Sequence, residues 1–210
     1  MKRPSKIKLI AWVASILPAG WFIINYALGA YNPYPTLFLT QFAGKTAIVF
    51  LLLSLACTPL RNIFSCSSLN QPRKVFGLAS FYYALAHALT FLVLDYHLKW
   101  NWLLPEFQNK PYLLLGLAAL LLLLVLALTS IRSFQKRTAD LWIKIHRWVY
   151  PTTLLVLIHQ YFAIKGDKRT AILYLVIFGI LMILRVPFIK SKVRIKREDS
   201  FQKINRWLLS

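Results

Sequence analysis

The chain has 210 residues, 58% of them hydrophobic and only 15% charged, with 26 Lys and Arg against 6 Asp and Glu for a formal net charge of +20. So apolar a composition excludes an ordinary soluble domain and predicts an all-α polytopic membrane protein. The charge would suit nucleic acid in a soluble chain, but here the basic residues are spread loop by loop rather than gathered on one face, which fits anionic lipid instead.

Six spans are expected. Ile10 to Tyr31 carries no charge and is long enough to cross about 30 Å of hydrocarbon. Its apolar run is too long for a signal peptide, so it reads as an uncleaved helix, bent at Pro18. Asn32-Pro33-Tyr34-Pro35 makes an outer turn. The second span, Thr46 to Leu60 extended backward past Gly44 and Lys45, ends at Thr58-Pro59-Leu60-Arg61. Lys45 is expected to snorkel outward. The third, Val75 to Leu94, contains His87, with Ser80, Ala84 and Ala88 on or beside the same face. Small residues there serve either close helix packing or a flat macrocycle laid against the helix.

An outer loop from Asp95 to Lys110 follows, with Trp100, Trp102 and Glu106 at the interface and His97 in solvent. The fourth span, Pro111 to Ile131, contains nothing that titrates and reads as scaffold. After a basic loop, Asp140 signals the start of the fifth segment. Leu141 to Ala163 carries two of the four histidines, His146 and His159, with Pro151 between them to alter the local twist. The sixth span is Thr170 to Leu184, and the tail places Phe201, Ile204, Trp207 and Leu208 on one face of a short interfacial amphipathic helix. Cys57 and Cys66 match no metal motif and read as reduced bystanders. The chain is thus expected to be one domain, 1–210, with a transmembrane core at 40–190 and a cytoplasmic tail at 191–210. Twenty of the 26 basic residues fall on the side of the N-terminus, which predicts both termini in the cytoplasm.

Depth singles out the functional residues. His87 stands thirteen residues from Lys74 at the inner boundary, and His159 stands thirteen residues from His146 at the same boundary. At 1.5 Å per residue each lies roughly 20 Å into the membrane. Ionisable side chains at that depth are costly and face the bundle interior, where they serve a cofactor, an ion or a proton path. Two imidazoles at equal depth suit the axial positions of a b-type haem. A zinc or copper site would want further ligands, and no Cys, Asp or Glu shares the depth.

The runs Phe42-Ala43-Gly44-Lys45-Thr46-Ala47, Thr58-Pro59-Leu60-Arg61, Arg73-Lys74-Val75-Phe76-Gly77-Leu78 through His87, Lys110-Pro111-Tyr112, and His146-Arg147-Trp148-Val149-Tyr150 through His159 resemble the MsrQ (YedZ) family. That family consists of haem-binding membrane subunits of ferric-reductase-like transmembrane type, and the likeness covers about residues 40 to 165. It implies a six-helix bundle in the bacterial inner membrane that takes electrons from the quinone pool, with FMN as a further cofactor. The electrons pass to a periplasmic molybdenum subunit, MsrP, which reduces methionine sulfoxide in oxidised periplasmic proteins. By matching positions, His87 and His159 correspond to ligands of an outer haem and His146 to a histidine serving an inner one. Fourteen residues before His87, where relatives with two bis-histidine haems carry a fourth histidine, this chain has Arg73. Either one haem b is held, or a second has His146 and a different partner, with Arg73 beside a propionate, a quinone or a flavin phosphate.

The other function class is a transmembrane reductase of iron or oxygen fed by NAD(P)H. About twenty residues follow the sixth span, too few for a flavin and nicotinamide domain, and no Gly-rich dinucleotide fingerprint is present, so a separate cytosolic flavin reductase would have to supply that part.

Overall fold

The computed structural model describes residues 6–64 and 67–186, which are helical throughout their ordered elements and contain no strand. Cys66 and the expected amphipathic tail helix lie outside the described residues. The helices are α1 (Lys6–Ala27), α2 (Pro35–Phe64), α3 (Arg73–Leu89), α4 (Trp100–Asn109), α5 (Pro111–Leu128), α6 (Arg132–Arg137), α7 (Ala139–His146), α8 (Val149–Ala163) and α9 (Arg169–Ile183). Four stretches are long and apolar enough to cross a membrane: α1, α2, α5, and α3 with the turns on either side of it. The fifth and sixth expected spans form helices of 15 residues each, α8 and α9, roughly 22 Å long.

The apolar residues of α1, α5 and α9 ring their helices almost completely, and such a helix is buried in a large core or lies in lipid. Lipid is the answer here, because Ile10, Ile16, Ile23, Leu121, Leu128, Leu173 and Val176 are all exposed. Half of the apolar window of α2 is buried, against 17% for α1 and 11% for α5, which makes α2 the central helix. One side of α2 packs Ile48, Leu52 and Leu55 against Leu157 of α8 and Leu181 of α9. The other packs Leu51 against Phe81 of α3 and Leu123 of α5. Arg185, just past α9, ties α2, α8 and α9 together by donating to the Leu55 carbonyl and the Tyr150 hydroxyl.

Two departures from straight helices have visible causes. Near Pro18, the Tyr83 hydroxyl of α3 enters the backbone ladder of α1, accepting from Ala19 N–H at 3.1 Å and donating to the Ser15 carbonyl at 2.9 Å. The two groups that would have bonded each other are both satisfied through one side chain, a recognised route to a bend. In the fifth segment the expected bend is not at Pro151 but before it. Helix α7 ends at His146, Arg147 and Trp148 form a turn, and Pro151 occupies the first turn of α8. Proline has no N–H to offer the Arg147 carbonyl, which accepts from Tyr150 at 3.2 Å instead.

The loop expected from Asp95 to Lys110 is more ordered than the sequence suggested. It holds α4, whose Glu106 is ion-paired with Lys110. That contact holds the Glu106 carboxyl below its ordinary range and raises the Lys110 ammonium. His97 and Leu98 adopt left-handed backbone conformations (φ 50° and 55°), and His97 is exposed as expected.

Candidate functional site

His87 lies near the end of α3, and the chain goes straight on into a π-helical turn, Thr90–Asp95, of the kind that often marks functional sites. Its Nδ1 is 2.8 Å from the Thr40 carbonyl of α2. His159 of α8 repeats the arrangement, with Nδ1 2.7 Å from the Tyr112 carbonyl of α5. A carbonyl can only accept, so each Nδ1 carries the proton and donates, and each Nε2 keeps its lone pair. Neither Nε2 has a hydrogen-bond partner among the described residues. Imidazole ligands of metals are fixed in this way, by a second-shell acceptor that sets tautomer and ring orientation.

The two rings face one another, their centres 6.2 Å apart and their planes at 76°. Two imidazoles bonded through Nε2 to one metal at about 2.0–2.1 Å, with ring centres roughly 1.1 Å beyond each nitrogen, stand about 6.3 Å apart. The spacing is therefore one at which His87 and His159 together would hold a metal-centred group between them.

Glycine decides how closely the helices approach. A Cβ on Gly44 would stand 3.0 Å from His87 Nδ1, and one on Gly116 would stand 2.7 Å from His159 Cε1. The two half-sites share a register. Thr40, Gly44 and His87 recur 72 residues later as Tyr112, Gly116 and His159, and the buried positions Ala47, Leu51 and Ser80 recur as Ala119, Leu123 and Thr152. The helix pair α2–α3 and the helix pair α5–α8 thus each present one histidine through the same contacts.

Between the pairs lies a cavity of about 690 Å³, its walls made largely of apolar and small side chains including Ala47, Ala84, Ala88, Ala119 and Leu120. That size and lining suit an organic cofactor. Two buried polar atoms on residues that line it have no hydrogen-bond partner among the described residues, Ser80 Oγ and Gln160 Oε1, on residues 0% and 8% exposed. Free Nε2 lone pairs, small residues on two helices and apolar walls fit a flat, metal-centred macrocycle. A bare metal ion would need more donors, and no cluster of three His, Cys, Asp or Glu occurs among the described residues.

His146 is placed differently. Its Nε2 is 3.3 Å from Ser130 Oγ, its Nδ1 is 3.2 Å from the Trp142 carbonyl, and its ring packs on Trp142 at 4.3 Å between centres. Both nitrogens are engaged, and His146 does not line the cavity. Arg73 and Lys74 stand close enough for their charges to act on it. By the 72-residue register the position equivalent to His146 is Lys74, so the repeat that pairs His87 with His159 does not duplicate His146. Sequence reasoning missed Thr40, Tyr112 and Gly116, because carbonyl acceptors have no side-chain signature and the fourth span looked like scaffold. The shared register was the signal that could have found them.

A bundle of apolar helices that brings two histidines from two helix pairs to the wall of one cavity is the architecture of a polytopic membrane protein with a candidate intramembrane cofactor site. A model of the family described as ferric reductase like transmembrane component matches residues 43–157, and the chain belongs to that family. It is 32% identical over 187 residues to the protein-methionine-sulfoxide reductase heme-binding subunit MsrQ of Rhodospirillum rubrum, covering 88% of this chain and 90% of that one. It is likewise 32% identical over 189 residues to the MsrQ of Yersinia pseudotuberculosis serotype O:1b, covering 90% and 93%.

Proposed function

We propose that this chain is the haem b subunit of a methionine-sulfoxide reductase system, with His87 and His159 as the two axial ligands. The observation that carries the reading is the imidazole pair, centres 6.2 Å apart on the wall of one cavity, each with Nδ1–H donated to a carbonyl and its Nε2 free of any hydrogen bond among the described residues. Haem b supplies a one-electron redox centre when bound. The chain's own part is ligation by two imidazoles of fixed tautomer, shaping of the slot by Gly44 and Gly116, and exclusion of water by α2, α3, α5 and α8.

In this reading the chain spans the bacterial inner membrane with both termini in the cytoplasm, takes electrons from the quinone pool and delivers them to a periplasmic MsrP-like molybdenum subunit. His146 and Arg73 belong to the inner end, where electrons enter and where FMN or an inner haem is held. The relatives' name and the likeness over most of the chain support the partnership.

The test is spectroscopic. Full-length protein in detergent is expected to show a low-spin haem b spectrum that shifts on reduction, lost in His87→Ala and His159→Ala and retained at the outer site in His146→Ala. A wild type without a Soret band would overturn the haem assignment. Reduction by a quinol rather than by NADH with a flavin reductase, followed by reoxidation on adding the molybdenum subunit and methionine sulfoxide, tests donor and acceptor.

A further inference from the structure

The cavity that holds the facing histidines is apolar for most of its wall, yet it also carries two lysines. Lys45 comes from α2, one residue past the Gly44 that presses on His87, and Lys165 comes from the turn after α8, six residues past His159. A lysine ten residues into a spanning helix sits about 15 Å along it, where an ammonium is costly unless it meets an anion or water.

The nearby acids are engaged with other cations. Asp167, on the same wall, accepts the Arg169 N–H at 2.9 Å and stands 3.7 Å from the Arg169 guanidinium. Glu106, which feels the charge of Lys165, is ion-paired with Lys110. Neither Lys45 nor Lys165 is in a salt bridge among the described residues. Gln160 adds an uncharged donor and acceptor to the same wall: it is 8% exposed, its Oε1 has no partner among the described residues, and its amide can turn to offer either end.

A slot with an apolar body and two cations on its wall calls for an amphipathic ligand with an apolar plane and anionic groups. Resting on the haem reading above, we propose that Lys45 and Lys165 are the carboxylate anchors of the site, each pairing with one haem propionate, with Gln160 as the hydrogen-bonding group between the ligated histidine and that edge. The lysines fix which edge of the macrocycle faces the outer end of the bundle. They also compensate two negative charges beside the redox centre.

The test uses full-length protein in detergent, stripped of haem and reconstituted with haem b or with its dimethyl ester, in which both carboxylates are neutral. Wild type is expected to prefer the free acid by at least about ten-fold, the scale of one charge-assisted hydrogen bond. Lys45→Gln/Lys165→Gln is expected to lose that preference and to show a lowered midpoint potential, because uncompensated propionate charge favours the oxidised state. Lys45→Arg and Lys165→Arg, which keep the charge, are expected to keep the preference.

Equal uptake of free acid and ester by wild type would overturn the proposal whether or not any variant folds. So would a double variant that retains both the discrimination and the potential, which would leave the lysines to solvent or to a partner surface. A wild type that takes up neither form would instead overturn the haem reading itself.

Discussion

Gly116→Ala is the sharpest single perturbation of the proposed site. The added Cβ would stand 2.7 Å from His159 Cε1 and 2.8 Å from Nδ1, whereas ordinary contact begins at 3.4 Å, so the ring must withdraw by about 0.7 Å. The ring cannot withdraw that far and keep its 2.7 Å bond to the Tyr112 carbonyl, since Tyr112 lies one turn before Gly116 on the same helix. Loss of such a second-shell contact lowers metal affinity by about 10- to 100-fold. The backbone effect has the opposite sign, because Gly116 is helical and alanine favours a helix by about 1 kcal/mol. The variant should therefore bind haem at least about ten-fold more weakly while its haem-free form melts no lower than wild type. Haem titration with absorbance and EPR detection, alongside thermal unfolding of the stripped protein, reads both quantities. Gly179→Ala, with nothing within 4 Å of its added Cβ, controls for the general effect of removing a glycine. Unchanged affinity and EPR signals in Gly116→Ala would refute the close-approach argument, and lower affinity with a matching loss of stability would reduce it to misfolding.

Other substitutions test the surrounding structure. Gly44→Ala meets His87 at 3.0 Å rather than 2.7 Å and should weaken haem binding less than its counterpart; a larger loss would contradict the steric ordering. Tyr83→Phe removes the hydroxyl shared by Ser15 and Ala19 and should destabilise the fold by about 1–3 kcal/mol, read as a lower melting temperature in detergent, with the haem spectrum unaltered. Ser80→Ala should be neutral to stabilising, by up to about 1–3 kcal/mol, since it removes a buried hydroxyl that has no partner among the described residues, whereas Ser80→Leu projects into the cavity and should block haem uptake. Full uptake by Ser80→Leu would mean that the cavity wall at α3 is not the surface on which haem rests.

The sequence by itself determined depth. Rise per residue is nearly constant in a helix, so counting thirteen residues from Lys74 and from His146 was enough to put His87 and His159 at one level, while loop charge supplied an expected orientation for the bundle. Composition likewise placed the chain in a membrane, and the quoted motifs pointed to its family. Rotation about the helix axes could not be counted in the same way. It depends on where a helix breaks and on which neighbour it crosses, and the break came at Arg147 and Trp148, ahead of the proline that caused it. Only the tertiary structure brought the two rings to 6.2 Å, supplied the carbonyls of Thr40 and Tyr112, and set Gly44 and Gly116 against them. Backbone acceptors and the absence of a side chain act through position alone, so they acquire meaning only when the helices are packed. His146, which depth had already set apart from the other two, is bonded to Ser130 and Trp142 away from the cavity, and only the packing showed those partners.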